Sequence, residues 1–513
     1  MARASSRRRL PLLGPVFVLA LLPGAVRAAW QISPSLELRE TWSDNAGLRA
    51  DGQKESRFIT SVTPGITATN NTPRFQFSAS YRLNAFAYSD DRVTGTDRFN
   101  SSLSATARGE LLSDLLFFDA QAGISQTPVS AFGPVSDSPY SDANRSEVRT
   151  WRVAPYLRHT FGGFASAELH YSHSVVDADQ EGFGRSVADD LRLAVSSGQS
   201  FRTVGWALDL DREKIDDTIA PASINSRALA SLRYILTSQL SLTATGGYDK
   251  FDYEQAGEAT KGASWSAGFA WTPSSRTSLR ASAGKRYYGN SYFLAATHRS
   301  RNTVWSINYS DDVTTSRSSF LLPSAVDTAA MLNQMFLPNY PDPVLRAIAV
   351  AAYIRALNLP PTLPNSINYF SNRYMLQRQF NASVALRTAR TTTMATLYRL
   401  RREALSRLQY DSALLGSGVQ NINDSTDQTG LALMLDYRLS ARTNAAVSAT
   451  LARNESRSTG LRQNNRQYRA YIARTFSQKL AGSVEVRRNQ GGLSLEDRSY
   501  TENTVAASLS MRF

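Results

Sequence analysis

Few residues in this chain are of types that could do chemistry. It has four histidines, at positions 159, 170, 173 and 298, and no cysteine. On a strand, His170 would share a face with Glu168 and Ser172, the grouping a barrel hydrolase would need, but no nucleophile motif accompanies it. His173 lies three residues from His170 and would face the opposite side, which argues against a shared metal site. The sequence therefore predicts no enzyme, no cofactor and no metal centre.

Paired acids are the other candidate ligands. Asp90-Asp91, Asp216-Asp217 and Asp311-Asp312 lie at predicted junctions between strands and loops. They could bind calcium, or cations that bridge lipopolysaccharide, although solvated loop charge is the simpler interpretation. The chain has no phosphate-binding loop, dinucleotide fingerprint or zinc spacing, and we expect no nucleic-acid partner.

Arginine dominates the positive charge of the chain. Lysine accounts for only six of the 57 basic residues. Guanidinium groups pair bidentately with carboxylate and phosphate, so an arginine-lined wall would favour anionic solutes or polymers. Alternatively, arginine usage reflects genome composition, and part of the charge meets lipopolysaccharide phosphates. Strand alternation predicts that the inner face of the last third carries Arg373, Arg387, Arg399, Arg401, Arg438, Arg469 and Arg487, opposed by Glu403, Asp436 and Glu485.

The last nine residues show which elements would position these side chains. From Val505 to Phe513, apolar and polar residues alternate, so that Leu509, Met511 and Phe513 share one face of a strand. A strand between lipid and an aqueous lumen needs this pattern, and a terminal aromatic is typical of the signal read by the barrel assembly machinery. The edge strand of a soluble β-sandwich is the alternative interpretation.

The beginning of the chain indicates export. Residues 1–28 combine a basic start, a short apolar stretch and a small-residue cleavage site, as in a secretory signal peptide. Its removal takes away five arginines and lowers the net charge from +14 to +9. The absence of cysteine excludes disulfides and a lipid-modified cysteine.

Alternating loop lengths favour a membrane barrel over a sandwich. Tight turns such as 161–163, 237–239 and 441–442 separate longer, more acidic connections such as 43–54 and 127–144. This order predicts an all-β, antiparallel up-and-down outer-membrane barrel over residues 29–513, with about 22 strands in a range of about 18 to 24. Side-chain alternation also predicts the outer faces of two strands. One outer face carries Met394, Thr396, Tyr398 and Leu400, and the other carries Leu431, Leu433, Leu435, Tyr437 and Leu439.

One segment, 318–366, breaks the alternation. Residues 327–336 and 344–357 are predicted helices, the second with Asp342-Pro343 at its start. The insertion belongs to the external side. It either folds into the barrel mouth as a constriction or offers a docking surface above the membrane.

The start of the mature chain carries a family resemblance. Residues 30–45, with the ending Glu40-Thr-Trp-Ser-Asp-Asn45, the stretch 58–66 with its Pro64-Gly65, and the many short arginine-rich hairpins are similar to the outer-membrane proteins associated with the PEP-CTERM/exosortase system. The resemblance covers the mature chain and is strongest in its first 70 residues. It implies an outer-membrane location and a link to extracellular polysaccharide or surface-protein export, and it supplies no catalytic residue.

Three functions remain open at this stage. The first is a porin-like channel or exit port for an anionic or neutral polysaccharide, working with separate periplasmic export partners. The second is a structural or adhesin-like outer-membrane protein that conducts little. The third, a barrel-embedded hydrolase or acyltransferase, is disfavoured by the scattered His and Ser residues.

Overall fold

The computed structural model describes residues 30–89, 98–141, 143–179, 182–253, 260–321, 369–406, 420–493 and 498–513, with Asn333, Arg346 and Val350. Antiparallel strands make up most of this chain, and they number 22 as predicted. They are β1 Gln31–Ser43, β2 Arg57–Asn71, β3 Phe75–Tyr88, β4 Phe99–Leu112, β5 Leu116–Pro128, β6 Arg145–Phe161, β7 Ala165–Ala178, β8 Arg185–Ser197, β9 Val204–Asp217, β10 Ser223–Ile235, β11 Leu240–Phe251, β12 Lys261–Ser274, β13 Thr277–Arg286, β14 Gly289–Arg299, β15 Thr303–Thr314, β16 Met375–Arg387, β17 Thr391–Ala404, β18 Ser425–Ser440, β19 Thr443–Ser456, β20 Arg462–Thr475, β21 Leu480–Leu493 and β22 Arg498–Arg512.

The sheet closes on itself. Each strand pairs with the next, and β1 pairs with β22 through partners such as Leu38 with Leu509 and Trp42 with Val505. The backbone N–H of Phe513 donates to the carbonyl of Pro34 over 3.1 Å. Closure satisfies the backbone groups that an open edge would expose, which is the condition for crossing a bilayer with strands. The up-and-down barrel predicted from the sequence requires its last strand to pair with its first, and this pairing is confirmed.

The two ends of the barrel have connections of different lengths. Turns such as 113–115, 275–276 and 441–442 lie at the end that holds both termini of the barrel, while longer connections such as 44–56 and 218–222 lie at the other. In outer-membrane barrels the short turns face the periplasm. We call the two ends the periplasmic end and the mouth.

Burial separates the two faces of the wall. In β18, Leu433, Leu435 and Leu439 are between 42% and 51% exposed, whereas Ala432 and Met434 are at most 3% exposed. The exposed side is the outer face, and the predicted outward set of β18 is confirmed. The same alternation places Leu38, Leu191, Leu242, Trp265, Ile307, Val447, Ile472, Val484 and Leu509 on the outer face, where they form an apolar belt.

Aromatic rings cluster on the outer face near the periplasmic end. Trp30 contacts Phe77 edge-on at 5.3 Å between centroids, and Phe75 stacks against Phe77 and Phe118 at 6.3 Å. Such clusters are typical of the girdle at a membrane interface.

Tyr and Phe residues beside the predicted turns also predict interface girdles, but four of them, Phe86, Tyr88, Phe117 and Tyr156, face inward instead. On the inner face, Phe117 stacks on Tyr156 at 5.1 Å.

Little helix accompanies the sheet. α1 spans Ser316–Leu321 and a 3₁₀ turn spans Gln420–Asn423. No helix in the described ranges is long and apolar enough to span a membrane. The single described positions Asn333, Arg346 and Val350, which belong to the two predicted helices of the insertion, are helical. The rest of the predicted helices and the predicted signal peptide 1–28 lie outside the described residues.

Chain segments from three connections pack together inside the mouth. Ala131, Phe132, Tyr369, Met375 and Ile422 form one buried cluster. In a second cluster, the ring of Phe370 lies 4.9 Å from that of Phe183 and 5.1 Å from that of Phe320. The mouth is therefore occupied by folded chain.

Candidate functional site

Two of the predicted inner-face arginines belong to an ion-pair network on β20, β21 and β1. Arg469 contacts Glu485 at 2.5 Å, Arg39 contacts the same carboxylate at 3.1 Å, and Arg487 lies 4.0 Å away. The side chains of Glu485 and Arg487 are each 5% exposed. These arginines face inward as predicted, but they neutralise a buried acid and do not line free solvent.

Arg487 also anchors loop 129–141 to the barrel wall. Its guanidinium contacts Asp137 at 2.8 Å and donates to the Ser138 hydroxyl at 2.5 Å. Burial alone would raise the pKa of Asp137, but Arg487, with Arg469 and Arg145, holds that pKa below its ordinary value. The loop carboxylate is therefore kept ionised against the wall.

Glu502 on β22 forms the second half of this anchor. Its carboxylate accepts hydrogen bonds from Ser43 at 2.9 Å, Tyr140 at 2.8 Å and Asn489 at 2.7 Å, and Glu502 is fully buried. Burial, with the nearby Glu502 charge, raises the pKa of Tyr140, so its hydroxyl remains a donor.

The backbone of the same loop is held by strand side chains. The amide of Asn454 donates to the carbonyl of Ala131 at 2.8 Å, and that of Gln463 donates to the carbonyl of Gly133 at 2.6 Å. Loop 129–141 thus crosses from the β5–β6 side of the barrel to the inner faces of β19 to β22.

Arg373 holds chain segments together at the mouth. It precedes β16, is 3% exposed, donates to the carbonyl of Ser406 at 2.7 Å and pairs with Asp424 at 2.5 Å. The prediction that it lines the lumen is corrected, because its guanidinium is used to tie two connections together.

Arg399 and Arg401 face outward, contrary to the prediction. The β17 register pairs Leu397 with Leu431 of the outer belt, so odd positions of β17 lie outside. Arg399 pairs with Asp427 at 2.5 Å and its side chain is 62% exposed, while Arg401 contacts Glu403 on the same face.

The residues predicted to face lipid on β17 are buried inside. Met394, Thr396, Tyr398 and Leu400 are at most 2% exposed. In an empty barrel of this strand number, inward side chains would contact lumen water. The inner face of β17 is instead as inaccessible as a protein core.

Arg387 and Arg438 do face inward, next to periplasmic turns. Each lies within three residues of the end of its strand at such a turn, and Arg438 is exposed. Three further arginines that the sequence analysis did not single out, Arg233, Arg280 and Arg299, share this position. We call these five residues the periplasmic arginine rim.

Inward arginines were predicted only for the last third of the chain, so Arg233, Arg280 and Arg299 were not among them. Arg233 alternates with exposed Leu232 and Tyr234, a pattern that would have predicted its inward position. In the parts of the chain that the structure describes, no carboxylate lies within ion-pair distance of Arg233, Arg280 or Arg299.

The burial of inward side chains differs from one side of the barrel to the other. From β16 through β22 to β1, inward side chains such as Met434, Asn454 and Thr504 are buried, and we call this region the covered half. On β10 to β14, most inward positions stay partly or fully exposed, including Arg233, Arg280 and Phe293. This second region is the open half.

A cavity of about 110 Å³ lies at the mouth of the open half. Its walls come from the end of β9, residues 220–222, Asp252 and Tyr253 after β11, α1 and the segment before β16. The charged and polar lining groups include Asp217, Asp252, Arg317, Ser371, Asn372 and Ser406, and the aromatic ones are Phe183, Tyr253 and Tyr374. This arrangement, a few polar groups among aromatic rings, is typical of small-molecule sites.

Two cavity residues are fixed by the barrel wall. The hydroxyl of Tyr374 contacts that of Ser223 at 2.5 Å and accepts from Asn225 at 3.3 Å. Arg317 donates to the hydroxyl of Ser174 at 2.6 Å and lies 3.6 Å from Glu213. Burial raises the pKa of Tyr374 to about 12 and lowers that of Arg317.

The histidine grouping lacks hydrolase geometry. His170 and His173 lie on opposite faces, as predicted. His170 contacts Glu168 at 3.1 Å and stacks on Tyr156 at 4.5 Å, whereas the hydroxyl of Ser172 accepts from Arg152. Among the described residues, His170 and Ser172 do not hydrogen-bond to each other, so His170 is not placed to activate the Ser172 hydroxyl as a nucleophile.

Acidic groups do not assemble into a cation site in the described ranges. No cluster of three or more His, Asp or Glu residues there could hold a metal. Asp311 accepts from Ser291 and from the N–H of Tyr292, and Asp312 pairs with Arg286 at 2.9 Å. Asp90-Asp91 lies outside the described residues.

Fold and site together define a class: a closed β-barrel of the outer-membrane type, with an apolar outer belt, a polar inner face and a mouth filled by loops. No protein-family model matches the sequence, and no curated protein matches it.

Solved structures share the barrel architecture at low identity. The siderophore receptor PirA from Pseudomonas aeruginosa is 10% identical, with 94% of this chain and 80% of that chain covered and a TM-score of 0.45. The FrpB iron transporter from Neisseria meningitidis is 9% identical, with 94% and 82% covered and a TM-score of 0.48. These values say nothing of a ligand or an activity of this chain.

Proposed function

We propose that this barrel is an outer-membrane channel or exit port for an anionic or neutral polysaccharide chain, associated with exopolysaccharide or surface-protein export. The observation that carries the proposal is the periplasmic arginine rim. It places guanidinium groups along one arc of the inner wall, from β10 to β18, at the end where a polymer leaving the cell would enter.

The rim has the chemistry that attracts anions. Guanidinium forks bind carboxylate and phosphate bidentately, and Arg233 and Arg280 are exposed to the lumen. A cluster of like charges at a channel entrance raises the local concentration of counter-ions and disfavours like-charged solutes. The partly exposed inner face of β10 to β14 continues from this rim towards the mouth.

Passage requires the mouth to open. Loop 129–141 is held on the covered half by hydrogen bonds and ion pairs to the wall, together with the packing of Ala131, Phe132 and Tyr140, and water can replace the polar part of these contacts. We therefore assign this loop the role of a gate. The insertion 318–366 keeps its proposed role as a further constriction.

Bilayer conductance tests the proposal. We expect the purified protein to form pores once residues 131–140 are replaced by a short Gly-Ser linker, with a reversal potential that favours anions. Replacing Arg233, Arg280 and Arg299 together by Gln shifts that potential towards cations, because the fixed positive charge is removed. The matched control replaces three outer-face arginines, Arg212, Arg399 and Arg488, and leaves selectivity unchanged.

A second function, a structural or adhesin-like protein with little conductance, is favoured by the buried inner face of β16 to β18. If the protein forms no pore after loop replacement, and still none after deletion of residues 318–366, the channel is refuted and this second function stands.

Membrane partners belong to the same proposal. Leu509, Met511 and Phe513 lie on the outer face of β22, between 42% and 59% exposed, where the barrel assembly machinery and then lipid or lipopolysaccharide would contact them. Deleting Phe513 should impair outer-membrane insertion without affecting export. Normal insertion of the truncated chain would remove the assembly role.

A further inference from the structure

The mouth cavity has room for one small ligand. A water needs roughly 10–15 Å³ of cavity volume measured in this way, so a volume of about 110 Å³ accommodates roughly seven to eleven waters. A single hexose displaces about this amount of water. The cavity is too small for a folded peptide or an extended oligosaccharide, so any polymer would enter it one unit at a time.

One lining group has a donor with no partner. Arg317 is 4% exposed, and its Nε atom has no hydrogen-bond acceptor among the described residues. Leaving a buried charged donor without an acceptor is unfavourable, because its lost hydration is not replaced. An acceptor atom supplied by a ligand at this wall would remove that cost.

The rest of the lining alternates acceptors with an aromatic surface. The carboxylates of Asp217 and Asp252 accept hydrogen bonds. The rings of Tyr253 and Tyr374 stack at 4.7 Å with 19° between their planes, and the wall contacts of the Tyr374 hydroxyl hold that ring in place. A rigid apolar ring surface beside polar groups fits the C–H face of a sugar, whose hydroxyls both donate and accept.

The charge balance disfavours anionic ligands. Two carboxylates line the cavity with a single guanidinium, and that guanidinium already has Glu213 at 3.6 Å. An anion would be repelled by Asp217 and Asp252. A cation supplies no acceptor for the Nε–H of Arg317, whereas the hydroxyls of a neutral polyol both accept from Arg317 and donate to the carboxylates.

We infer that the cavity formed by Asp217, Asp252, Tyr253, Arg317 and Tyr374 is a binding site for one neutral sugar unit. The inference rests on the proposed function for its polymer context, since a subsite at the mouth would hold the emerging chain by one of its residues. The cavity and the rim differ in selectivity, because the rim attracts anionic groups and the cavity selects an uncharged sugar unit.

Binding to the full-length protein in detergent micelles tests the site. Glucose, galactose and N-acetylglucosamine are titrated separately and compared with glucuronate, using ligand-observed NMR. We expect saturable binding of at least one neutral sugar, and binding of glucuronate at least about ten-fold weaker, a difference of about 1.4 kcal/mol.

Substitutions test whether the sugar binds in this cavity. Tyr253→Ala should weaken neutral-sugar affinity about ten-fold or more, because it removes the stacking surface. Tyr248→Ala is the matched control, since Tyr248 lies on the outer face of β11, 48% exposed, and its loss should leave affinity unchanged. Asp252→Asn should strengthen glucuronate binding by removing one repelling charge. Heat-modifiable gel migration confirms that each variant is folded.

The outcomes separate this inference from the channel. No saturable sugar binding, equal binding of glucuronate, or an unchanged Tyr253→Ala variant would each overturn the cavity assignment. Conductance of the same preparation is measured in parallel. If the protein conducts but does not bind sugar, only the cavity site is refuted. If it binds sugar but does not conduct, the channel is refuted and the cavity site stands.

Discussion

The covered half and the open half of the inner wall are built from the same alternating strands but are used differently. On the covered half, Arg487 and Glu502 are buried beneath loop 129–141. On the open half, Arg233 and Arg280 remain exposed, and a cavity persists at the mouth. The difference shows that an inward arginine acts as a structural anchor where a loop covers it and is available to a solute where none does.

Replacing the central anchor should produce the largest effect. Arg487→Ala removes the buried guanidinium that pairs with Asp137 and donates to Ser138, while Glu485 keeps Arg469 and Arg39, and a hydrogen bond to a charged group typically contributes about 1.5–3 kcal/mol. We expect a loss of this size in the free energy of unfolding by urea from lipid vesicles.

The neighbouring arginine supplies the control for that change. Arg488 is exposed on the outer face of the same strand, and Arg488→Ala should change stability by less than about 1 kcal/mol. Equal losses from the two substitutions would mean that the covered half has no anchoring role.

A glycine on the covered half tests how tightly it is packed. A Cβ at Gly430 would lie 2.3 Å from the ring of Tyr398, which is 2% exposed and has little room to move. Gly430→Ala should therefore destabilise the barrel by about 1–3 kcal/mol through overpacking.

The double variant decides whether that clash is the cause. Tyr398→Ala removes the ring, so adding Gly430→Ala to it should cost less than Gly430→Ala costs in the wild-type protein. If Tyr398 faced lipid, as its sequence pattern suggested, Gly430→Ala would be tolerated and the two changes would be additive.

The same residues show why sequence predicted the fold better than the site. Alternation and loop lengths depend on short-range geometry, so the strand number, closure and the outer face of β18 were predictable. In β17 both faces carry apolar residues, because the inward Met394 and Leu400 are fully buried while Leu397 faces the belt. Parity alone cannot distinguish the two, since covering depends on contacts between distant segments such as Gln463 and Gly133.

Acid should release part of the covered half. The pKa of Asp137 is depressed, so its contribution to docking is complete above its ordinary value of 3.8 and is lost as pH falls through the lower folded value. The chain has no cysteine, so a spin label on Pro139→Cys, at an exposed loop position, reports loop motion. We expect an immobile label at neutral pH and a mobile one only below about pH 3.8.

Removing the titrating group should abolish this acid transition. In Asp137→Asn the label should already be more mobile at neutral pH and should change little on acidification. A transition that persists unchanged in Asp137→Asn would assign the acid response to another carboxylate.

The smallest effect should come from an arginine outside the lumen. The pair of Arg399 with Asp427 is 2.5 Å long, but the Arg399 side chain is 62% exposed, and exposed pairs contribute less than about 1 kcal/mol. Arg399→Gln should leave both stability and the reversal potential of the conducting loop variant nearly unchanged. Arg280→Gln, a single charge removed from the open half, should shift that potential towards cations. Selectivity responds only to charges that the permeating ion passes. A shift of equal size from Arg399→Gln would therefore mean that Arg399 lines the lumen, and it would contradict the assignment of the two faces of β17.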